Sequence, residues 1–344
     1  MEHESKKCAG DIEWQNWKWV QHLLLCWKVF EMADITIFIN RLRKNARHWG
    51  KWAKRQGISC YRVYDRDIPE FPVAVDIYEN RVHLQEFETG WKQEESEHDA
   101  WIEAVCSAAS QVLDLPRSAI FFKRRARQRG LSQYEKTGAQ GEDFVVTESG
   151  HQFVVNLEEY LDTGLFLDHR NTRRMVEERA AGKRFLNLFA YTGSFTVYAA
   201  AGGAISSTTV DLSNTYQDWA KRNFELNGMD MNRHKLVRAD VFAFLDQAVK
   251  EKRQYDLIVM DPPSFSNSKK MIGVLDVQRD HVGLINQCLQ LLAEKGVLFF
   301  STNLRSFELE QEKLASSHVR EISAQTVPED YRNKKIHRCW LIEK

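Results

Sequence analysis

From about residue 182 onward, short apolar runs alternate along the chain with longer stretches of helical periodicity. The apolar runs are rich in β-branched and aliphatic residues, as buried strands are, and the stretches between them end in a glycine at a helix C-cap position. This alternation predicts an α/β fold with a mostly parallel, doubly wound sheet. Two C-terminal segments, HVREISAQTV and KKIHRCWLIEK, predict an antiparallel edge strand. The predicted parallel strands are RFLNLFA, SSTTVD, HKLVRAD, YDLIVMD and GVLFFSTN.

Residues 58–157 show a different rhythm, in which many apolar positions alternate with polar ones. The segments CYRVYD and VAVDIYENRVHLQEFE alternate as half-buried strands do, with Glu79 and Asn80 at a turn. The segment DAWIEAVCSAASQVLDL has helical spacing and stops at Pro116. Further strands follow in AIFFKRR, DFVVTESG and HQFVVNL. We expect a small α+β domain, in the order strand-strand-helix-strand-strand, ahead of the doubly wound sheet.

Two amphipathic helices are predicted before residue 58. In the first, within residues 1–33, tryptophans recur at helical spacing; we expect it to pack on its own domain, with a partner-binding or membrane-surface helix as the alternative. The second repeats apolar residues from Phe38 to Ala53 and closes at Gly57. Its other face is basic and is either solvated or in contact with RNA. The predicted domains are a helical extension (1–57), the small α+β domain (58–157) and a third domain (158–344).

Charge and cysteine usage narrow the class of protein. Lysine plus arginine and aspartate plus glutamate both number 48, so the formal net charge is zero and only local basic clusters can point to nucleic acid. The six cysteines are scattered without a C-x-x-C pair, which argues against a metal or redox site and suits reduced thiols. The apolar stretch near the N-terminus is too short and too polar to cross a membrane. We therefore expect a cytoplasmic protein.

Two local clusters of basic residues are candidate phosphate contacts. The run KRRARQR lies between two predicted strands, and we expect it to be a loop that reaches outward to RNA; a plain solvated loop is the alternative. The second cluster follows the fourth parallel strand, in SFSNSKKM. The candidate RNA-binding residues are Lys123, Arg124, Arg125, Arg127, Arg129, Lys269 and Lys270.

The strongest chemical signal stands where the predicted parallel strands end, because ligands of such sheets bind beyond the carboxyl ends of the strands. A turn containing Gly193 follows the first strand, and neither G-x-G-x-x-G nor a P-loop is present to cradle a diphosphate. Asp211, after the second strand, can accept both hydroxyls of a ribose. Asp240, after the third, can accept an adenine amino group while Val241 packs on the ring. Each acid alone could be a helix N-cap, but together they predict a site for adenosine without a diphosphate, which favours S-adenosylmethionine.

The fourth strand ends in the motif DPPSF, residues 261–265. Pro262 and Pro263 have fixed φ angles and no N–H group, so we expect a rigid loop whose carbonyls are free to accept hydrogen bonds from a base. Phe265 offers a ring on which the base can stack, and Asp261 is placed to orient a base that has left its helical stack. We interpret Asp261, Pro262, Pro263 and Phe265 as the catalytic set; a rigid strand-to-helix turn without chemistry is the alternative.

Several segments together resemble the class I S-adenosylmethionine-dependent methyltransferases, and within them the RlmK-type 23S ribosomal RNA methyltransferases that form the C-terminal half of bifunctional RlmKL proteins. These segments are YLDTGLFLDHR, NLFAYTGSFTVYAAAGGA, TTVDLSNTYQDWAKRNFELNG, DPPSFSNSKKM and DVQRDH. The resemblance runs from about Phe38 to the C-terminus. It implies a Rossmann-like methyltransferase domain, S-adenosylmethionine as the cofactor and guanine N7 of 23S ribosomal RNA as the methyl acceptor. The candidate cofactor-binding residues are Phe189, Tyr191, Thr192, Gly193, Asp211, Leu212, Ser213, Asp240, Val241 and Asp261, with Asp168 and Arg170 closing over the cofactor.

The bifunctional proteins of this family carry a second half, with an RNA-binding THUMP domain and an N2-guanine methyltransferase. No segment of these 344 residues resembles that half. A separate protein that supplies it is therefore a candidate partner. The alternatives of a standalone enzyme, a split gene product and a truncated one stay open.

The D-P-P motif also occurs in enzymes that methylate exocyclic amines, so the target atom needs its own argument. Methylation of a pyrimidine carbon uses a cysteine nucleophile near the fourth or fifth strand end, and DPPS and STN stand there instead. Guanine N7 has an exposed lone pair, so direct transfer by proximity and alignment suffices. The alternatives are methylation of an exocyclic purine nitrogen or of another RNA, and an inactive RNA-binding or assembly protein.

Overall fold

The computed structural model describes residues 34–88, 94–125, 141–160, 162–267 and 273–344, and for Arg125 the backbone alone. The predicted helix within residues 1–33 lies outside these ranges. In the described ranges, no helix combines the length and the apolar character needed to cross a bilayer.

The smaller part of the molecule is a four-stranded sheet with two long helices. Its elements are α1 Ile35–Gln56, β1 Cys60–Asp65, β2 Val73–Tyr78, β3 Arg81–Phe87, α2 Glu95–Leu113 and β4 Ile120–Arg125. The strand order is β1-β2-β3-β4, antiparallel except for β3 and β4, which α2 connects in parallel. Phe38 and Leu42 of α1 are buried in one core with Trp101 of α2. Helix α1 ends at Gly57, whose left-handed φ of +65° closes the last turn.

The fold class of this part is confirmed, but its strand order differs from the predicted one. Three strands precede α2 and one follows it, because Glu79 and Asn80 divide VAVDIYENRVHLQEFE into two paired strands. The segments DFVVTESG and HQFVVNL form a separate hairpin, β5 (Phe144–Glu148) and β6 (His151–Val155). Their apolar residues are buried in one core with Tyr78 of the small sheet and Phe224 of the larger part.

The larger part is a seven-stranded sheet that carries the strand ends of interest. Its strands are β7 Arg184–Leu188, β8 Ser206–Asp211, β9 His234–Arg238, β10 Tyr255–Met260, β13 Leu292–Thr302, β14 His318–Glu321 and β15 Arg338–Glu343. A separate short hairpin is formed by β11 Phe265–Ser266 and β12 Leu275–Asp276. The order is β14-β15-β13-β10-β7-β8-β9, and only β15 runs against its neighbours. The predicted mostly parallel sheet is confirmed. The antiparallel strand β15 lies one position inside the edge, because β14 pairs with its outer side.

Helices cover both faces of this sheet, as a doubly wound fold requires. They are α3 Arg170–Glu177, α4 Ser194–Ala201, α5 Asn214–Leu226, α6 Val241–Lys250, α7 Val277–Leu291 and the short α8 Ser323–Thr326. Successive residues of β13 pack on opposite faces of the sheet. Phe299 packs with Phe195 of α4, and Phe300 packs with Leu284 of α7. Strands β7, β8, β9, β10 and β13 are parallel neighbours, so their carboxyl ends lie along one side of the sheet, which we call the carboxyl edge.

Candidate functional site

A strained turn follows β7 at the carboxyl edge. Phe189 and Tyr191 both have positive φ angles, +54° and +52°, which non-glycine residues rarely adopt. Gly193 has a φ of +74°, and a Cβ there would lie 2.9 Å from a ring carbon of Phe224. Thr192 is fully buried, with its hydroxyl donating to the carbonyl of Gly164 at 2.7 Å. The turn is thus held in one conformation, with its backbone amides close to the end of β8.

The carboxylate of Asp211 accepts from two backbone amides, one in the turn after β7 and one just after β8. The N–H of Tyr191 donates to Oδ2 at 2.9 Å, and the N–H of Ser213 donates to Oδ1 at 2.9 Å. Desolvation by burial raises the pKa of Asp211 to about 6, although the backbone amides pull it down. The carboxylate is therefore oriented and desolvated, as an acceptor for a pair of hydroxyl groups should be. Leu212 and Ser213 are half-buried beside it, and Ser213 caps α5.

Asp240 has one carboxylate oxygen in use and one without a partner. Oδ1 accepts from the N–H of Ala243 at 3.2 Å, so that Asp240 caps α6. Oδ2 is buried and has no hydrogen-bond donor among the described residues. A buried acceptor without a donor costs about 1–3 kcal/mol, and an adenine amino group would supply that donor. Val241, buried next to it, provides an apolar contact. The residues thus fit the adenosine of S-adenosylmethionine.

Asp261 is fixed from two sides at the end of β10. The hydroxyl of Ser301 donates to Oδ1 at 2.6 Å, and Nε2 of His169 lies 3.4 Å from Oδ2. Pro262 is buried and Pro263 half-buried. The Ser264 hydroxyl lies 2.5 Å from the side-chain oxygen of Asn303. The predicted rigidity of this loop thus comes from side-chain bonds to the end of β13 as well as from the prolines.

Phe265 stands at the outer end of the same loop. Its backbone belongs to β11, which pairs with β12 so that Phe265 lies opposite Asp276. Phe265 is 48% exposed. The backbone is anchored while the ring is free to contact a ligand.

Behind Asp261 lies a cluster of half-buried Asp168 and the buried side chains of His169 and His337. Oδ2 of Asp168 is 2.9 Å from Nδ1 of His337, and the two imidazole rings stack with centroids 4.2 Å apart. Burial alone would raise the pKa of Asp168, but His169 and His337 outweigh it and hold that pKa well below its usual range. Burial lowers the pKa of His169, so this imidazole is neutral at pH 7. The three groups are close enough together to hold a metal ion, but each already has a hydrogen-bond partner in the protein.

Asp168 and Arg170, predicted to close over the cofactor, both have partners within the protein. The guanidinium of Arg170 forms a buried pair with Asp330, at 3.2 and 3.0 Å. Asp168 faces His337. Oδ2 of Asp330 also accepts from the N–H of Arg62 in β1. Arg170 therefore joins the small sheet to the large one through Asp330. His169 lies between Asp168 and Asp261.

The predicted basic loop begins as a strand. Lys123 and Arg124 lie in β4, in register with Gln85 and Glu86. Lys123 is buried, its ammonium donates to the carbonyl of Tyr160, and desolvation lowers its pKa to about 8. The expectation that Lys123 reaches outward is therefore wrong, because a neighbouring segment covers the strand there. Arg124 is exposed, with Glu86 3.7 Å away. The side chain of Arg125, and Arg127, Arg129, Lys269 and Lys270, lie outside the described residues.

Sequence reasoning missed His169, His337 and the bracing role of Ser301. His169 lies in FLDHR between the two residues that were singled out, but its spacing gave no sign that its ring turns toward Asp261. His337 comes from a segment far along the chain. Only the topology, which sets β15 beside β13, brings them together.

Comparison with known proteins gives concordant results. Residues 99–325 match the model of the S-adenosylmethionine-dependent methyltransferase family. The chain is 64% identical over 311 residues to Ribosomal RNA large subunit methyltransferase K of Neisseria meningitidis serogroup B, covering 90% of this chain and 88% of that one. It is 50% identical over 310 residues to Ribosomal RNA large subunit methyltransferase K/L of Methylococcus capsulatus. A solved methyltransferase structure complexed with SAH is similar at a TM-score of 0.72 and 28% identity, covering 90% of this chain and 82% of that one.

The fold, the strand-end acids and these matches define a class I S-adenosylmethionine-dependent methyltransferase, and S-adenosylmethionine is its cofactor. Within that class, the chain belongs to the family of ribosomal RNA large subunit methyltransferase K. The match to the K/L relative covers 89% of this chain but 42% of that protein.

Proposed function

We propose that this chain methylates the N7 atom of a guanine in 23S ribosomal RNA, in the cytoplasm and by direct transfer. The names of its relatives support ribosomal RNA as the substrate class. The single observation that carries the site assignment is the pairing of a braced carboxylate, Asp261, with an exposed ring, Phe265, at the carboxyl edge. A separate protein that carries the remaining half of the K/L relatives is a candidate partner.

The cofactor would lie across the ends of β7, β8 and β9. Asp211 would accept the ribose hydroxyls, and Oδ2 of Asp240 would accept the adenine amino group. The turn with Tyr191 and Gly193 allows close approach of the backbone, while Phe189, Thr192, Leu212, Ser213 and Val241 shape its surroundings. When bound, S-adenosylmethionine supplies an electrophilic methyl group.

The target base would lie between Phe265 and the loop of Pro262 and Pro263. Stacking on an aromatic ring is worth about 1–3 kcal/mol per base, and the proline carbonyls can accept from base N–H groups. Asp261 would orient the base rather than remove a proton, since N7 carries none. Alignment in a fixed geometry can then supply several kcal/mol of the rate enhancement.

The cysteines described in the structure do not support a covalent route. Cys60, Cys106, Cys288 and Cys339 are buried, and burial raises the pKa of each thiol. A buried neutral thiol is a poor nucleophile. Cys8 and Cys26 lie outside the described residues.

The proposal is tested by incubating the full chain with protein-free 23S ribosomal RNA, transcribed in vitro, and S-adenosylmethionine with a labelled methyl group. The RNA should become labelled, and 16S ribosomal RNA under the same conditions should not. A protein that binds the cofactor by calorimetry but labels neither RNA would contradict the proposal.

Replacing Phe265 with alanine is expected to slow methyl transfer about 5- to 150-fold, which is the stacking energy expressed as a rate. Phe265→Tyr keeps a stacking face and should stay close to wild type. Cofactor affinity should not change, because its contacts lie on other strands. Single-turnover transfer and calorimetry measure the two effects. Ile205→Ala, at a 55% exposed side chain near the opposite edge of the sheet, is the matched control, and an equal loss in both alanine variants would refute the assignment.

Replacing His169 with leucine is expected to lower turnover about tenfold, because it removes the polar group that lies 3.4 Å from Oδ2 of Asp261 and helps to position this carboxylate. His169→Gln keeps an amide donor near the position of Nε2 and should recover most of that loss. Both variants lose the stack on His337, so a purely structural role would lower turnover and melting temperature equally in both. Steady-state methylation and thermal unfolding distinguish the two cases.

A further inference from the structure

The outer face of α1 carries a row of cations that the site above does not use. Phe38, Leu42 and Ala53 bury the inner face. The outer face is exposed and α1 contains no acidic residue. Its basic residues, which we call the α1 basic face, are Arg41, Arg43, Lys44, Arg47, Lys51, Lys54 and Arg55.

Most of these charges are uncompensated. Arg41 lies 3.9 Å from Asp67, a weak pair at best. In the described parts of the chain, no carboxylate lies within 4.0 Å of the other six side chains. Like charges four residues apart destabilise a helix by a few tenths of a kcal/mol per pair. Such a face costs stability in the free protein, and a polyanion bound to it would relieve the repulsion.

The spacing of the cations suits an extended polyanion. Arg43, Arg47 and Lys51 follow one another at four-residue intervals, about 6 Å apart along the axis. Asn40, Lys44 and His48 lie beside them on the same exposed face of the helix. Asn40 and His48 add hydrogen-bonding groups within the row. Guanidinium and ammonium groups in such a row can each contact a successive part of a phosphate backbone.

A chain of contacts links helix α1 to the carboxyl edge. Nδ2 of Asn45 donates to Asp67 at 3.0 Å, just after β1. Asp65 in β1 accepts from the backbone of Asn333 at 3.1 Å. The segment around Asn333 leads into β15, where Arg338 lies opposite Thr302 at the end of β13. The side of the small part that holds α1 is therefore tied to the same edge that holds Asp261.

We propose that the α1 basic face binds the phosphate backbone of the RNA that flanks the methylated nucleotide. This rests on the proposed function, and it assigns to α1 the delivery of a substrate whose base is received at Phe265. If the face instead bound an acidic protein, removing its charges would leave binding to protein-free RNA unchanged.

The test compares two full-length variants with the same loss of charge. The first carries Arg43, Lys44, Arg47 and Lys51 all changed to glutamine. The control carries Lys235, Lys250, Lys252 and Lys295 changed to glutamine; these exposed lysines lie near the strand starts, away from the carboxyl edge. Binding to protein-free 23S ribosomal RNA is measured across a salt series, with cofactor affinity measured by calorimetry.

The α1 variant should bind the RNA at least about tenfold more weakly, and the slope of log affinity against log salt should fall by about 3 if all four contacts are lost. The control and the cofactor affinity should stay near wild type, and methylation should recover at saturating RNA and low salt. Equal slopes for the α1 variant, the control and wild type would overturn the proposal. A wild-type chain that neither binds nor methylates the RNA would instead refute the proposed function.

Discussion

Replacing Asp261 with alanine is expected to lower the rate of methyl transfer by about 100-fold or more, which is the usual effect of removing a preorganised polar group from a reacting centre. The side chain is held by Ser301 and lies beside His169, so its loss removes the group that orients the base and loosens the loop that follows. Cofactor affinity should change far less than turnover. Single-turnover kinetics and calorimetry on the same preparation separate the two quantities.

A carboxylate at the other end of the same strand provides the control. Asp256 lies at the start of β10, bonded to Arg184 at 2.9 Å, so Asp256→Ala should lower stability while turnover per folded molecule stays near wild type. If Asp261→Ala retains turnover within a few-fold of wild type, the base is not oriented by this group.

Replacing Asp211 with alanine should weaken S-adenosylmethionine binding at least tenfold. Two hydrogen bonds to a charged group are at stake, each worth about 1.5–3 kcal/mol, and the amides of Tyr191 and Ser213 lose their acceptor as well. Calorimetry measures the affinity, and circular dichroism confirms that the variant is folded. A folded variant with unchanged affinity would show that the ribose lies elsewhere.

The raised pKa of Asp211 adds a dependence on pH with opposite signs for binding and for stability. Its folded-state pKa of about 6 lies above the ordinary 3.8, so its contribution to folding is greatest at low pH and is lost as the pH rises through 6. Cofactor affinity should instead fall as the pH drops below about 6, because a protonated carboxyl is a poorer acceptor. In Asp211→Asn, both dependences should flatten.

The strands and their ends could be predicted from the sequence because each of these features is local. Apolar runs that stop at Asp211, Asp240 and Asp261 mark the carboxyl edge wherever the strands lie in the sheet. The prediction for Lys123 was wrong for the opposite reason. Its burial depends on the carbonyl of Tyr160, contributed by a segment nearly forty residues away, and no spacing in the chain reveals that contact.

The cluster behind Asp261 also depends on contacts between distant segments, which the sequence does not reveal. FLDHR was recognised as a candidate, yet Arg170 turns to Asp330 and His169 turns to Asp261, a choice made by tertiary packing. The α1 basic face is intermediate: its periodicity is visible in the sequence, but that six of its charges lack a carboxylate partner among the described residues emerges only from the folded chain.

The central claim, methylation at guanine N7, is tested most directly by mapping methylated nucleotides in 23S ribosomal RNA from cells with and without this protein. Nuclease fragments analysed by mass spectrometry locate the added methyl group, and reduction followed by aniline cleavage reports 7-methylguanine specifically. We predict one 7-methylguanosine that disappears without the protein and returns when the wild-type protein, but not the Asp261→Ala variant, is restored. A methyl group found instead on an exocyclic nitrogen, or a methylation pattern that does not depend on the protein, would contradict it.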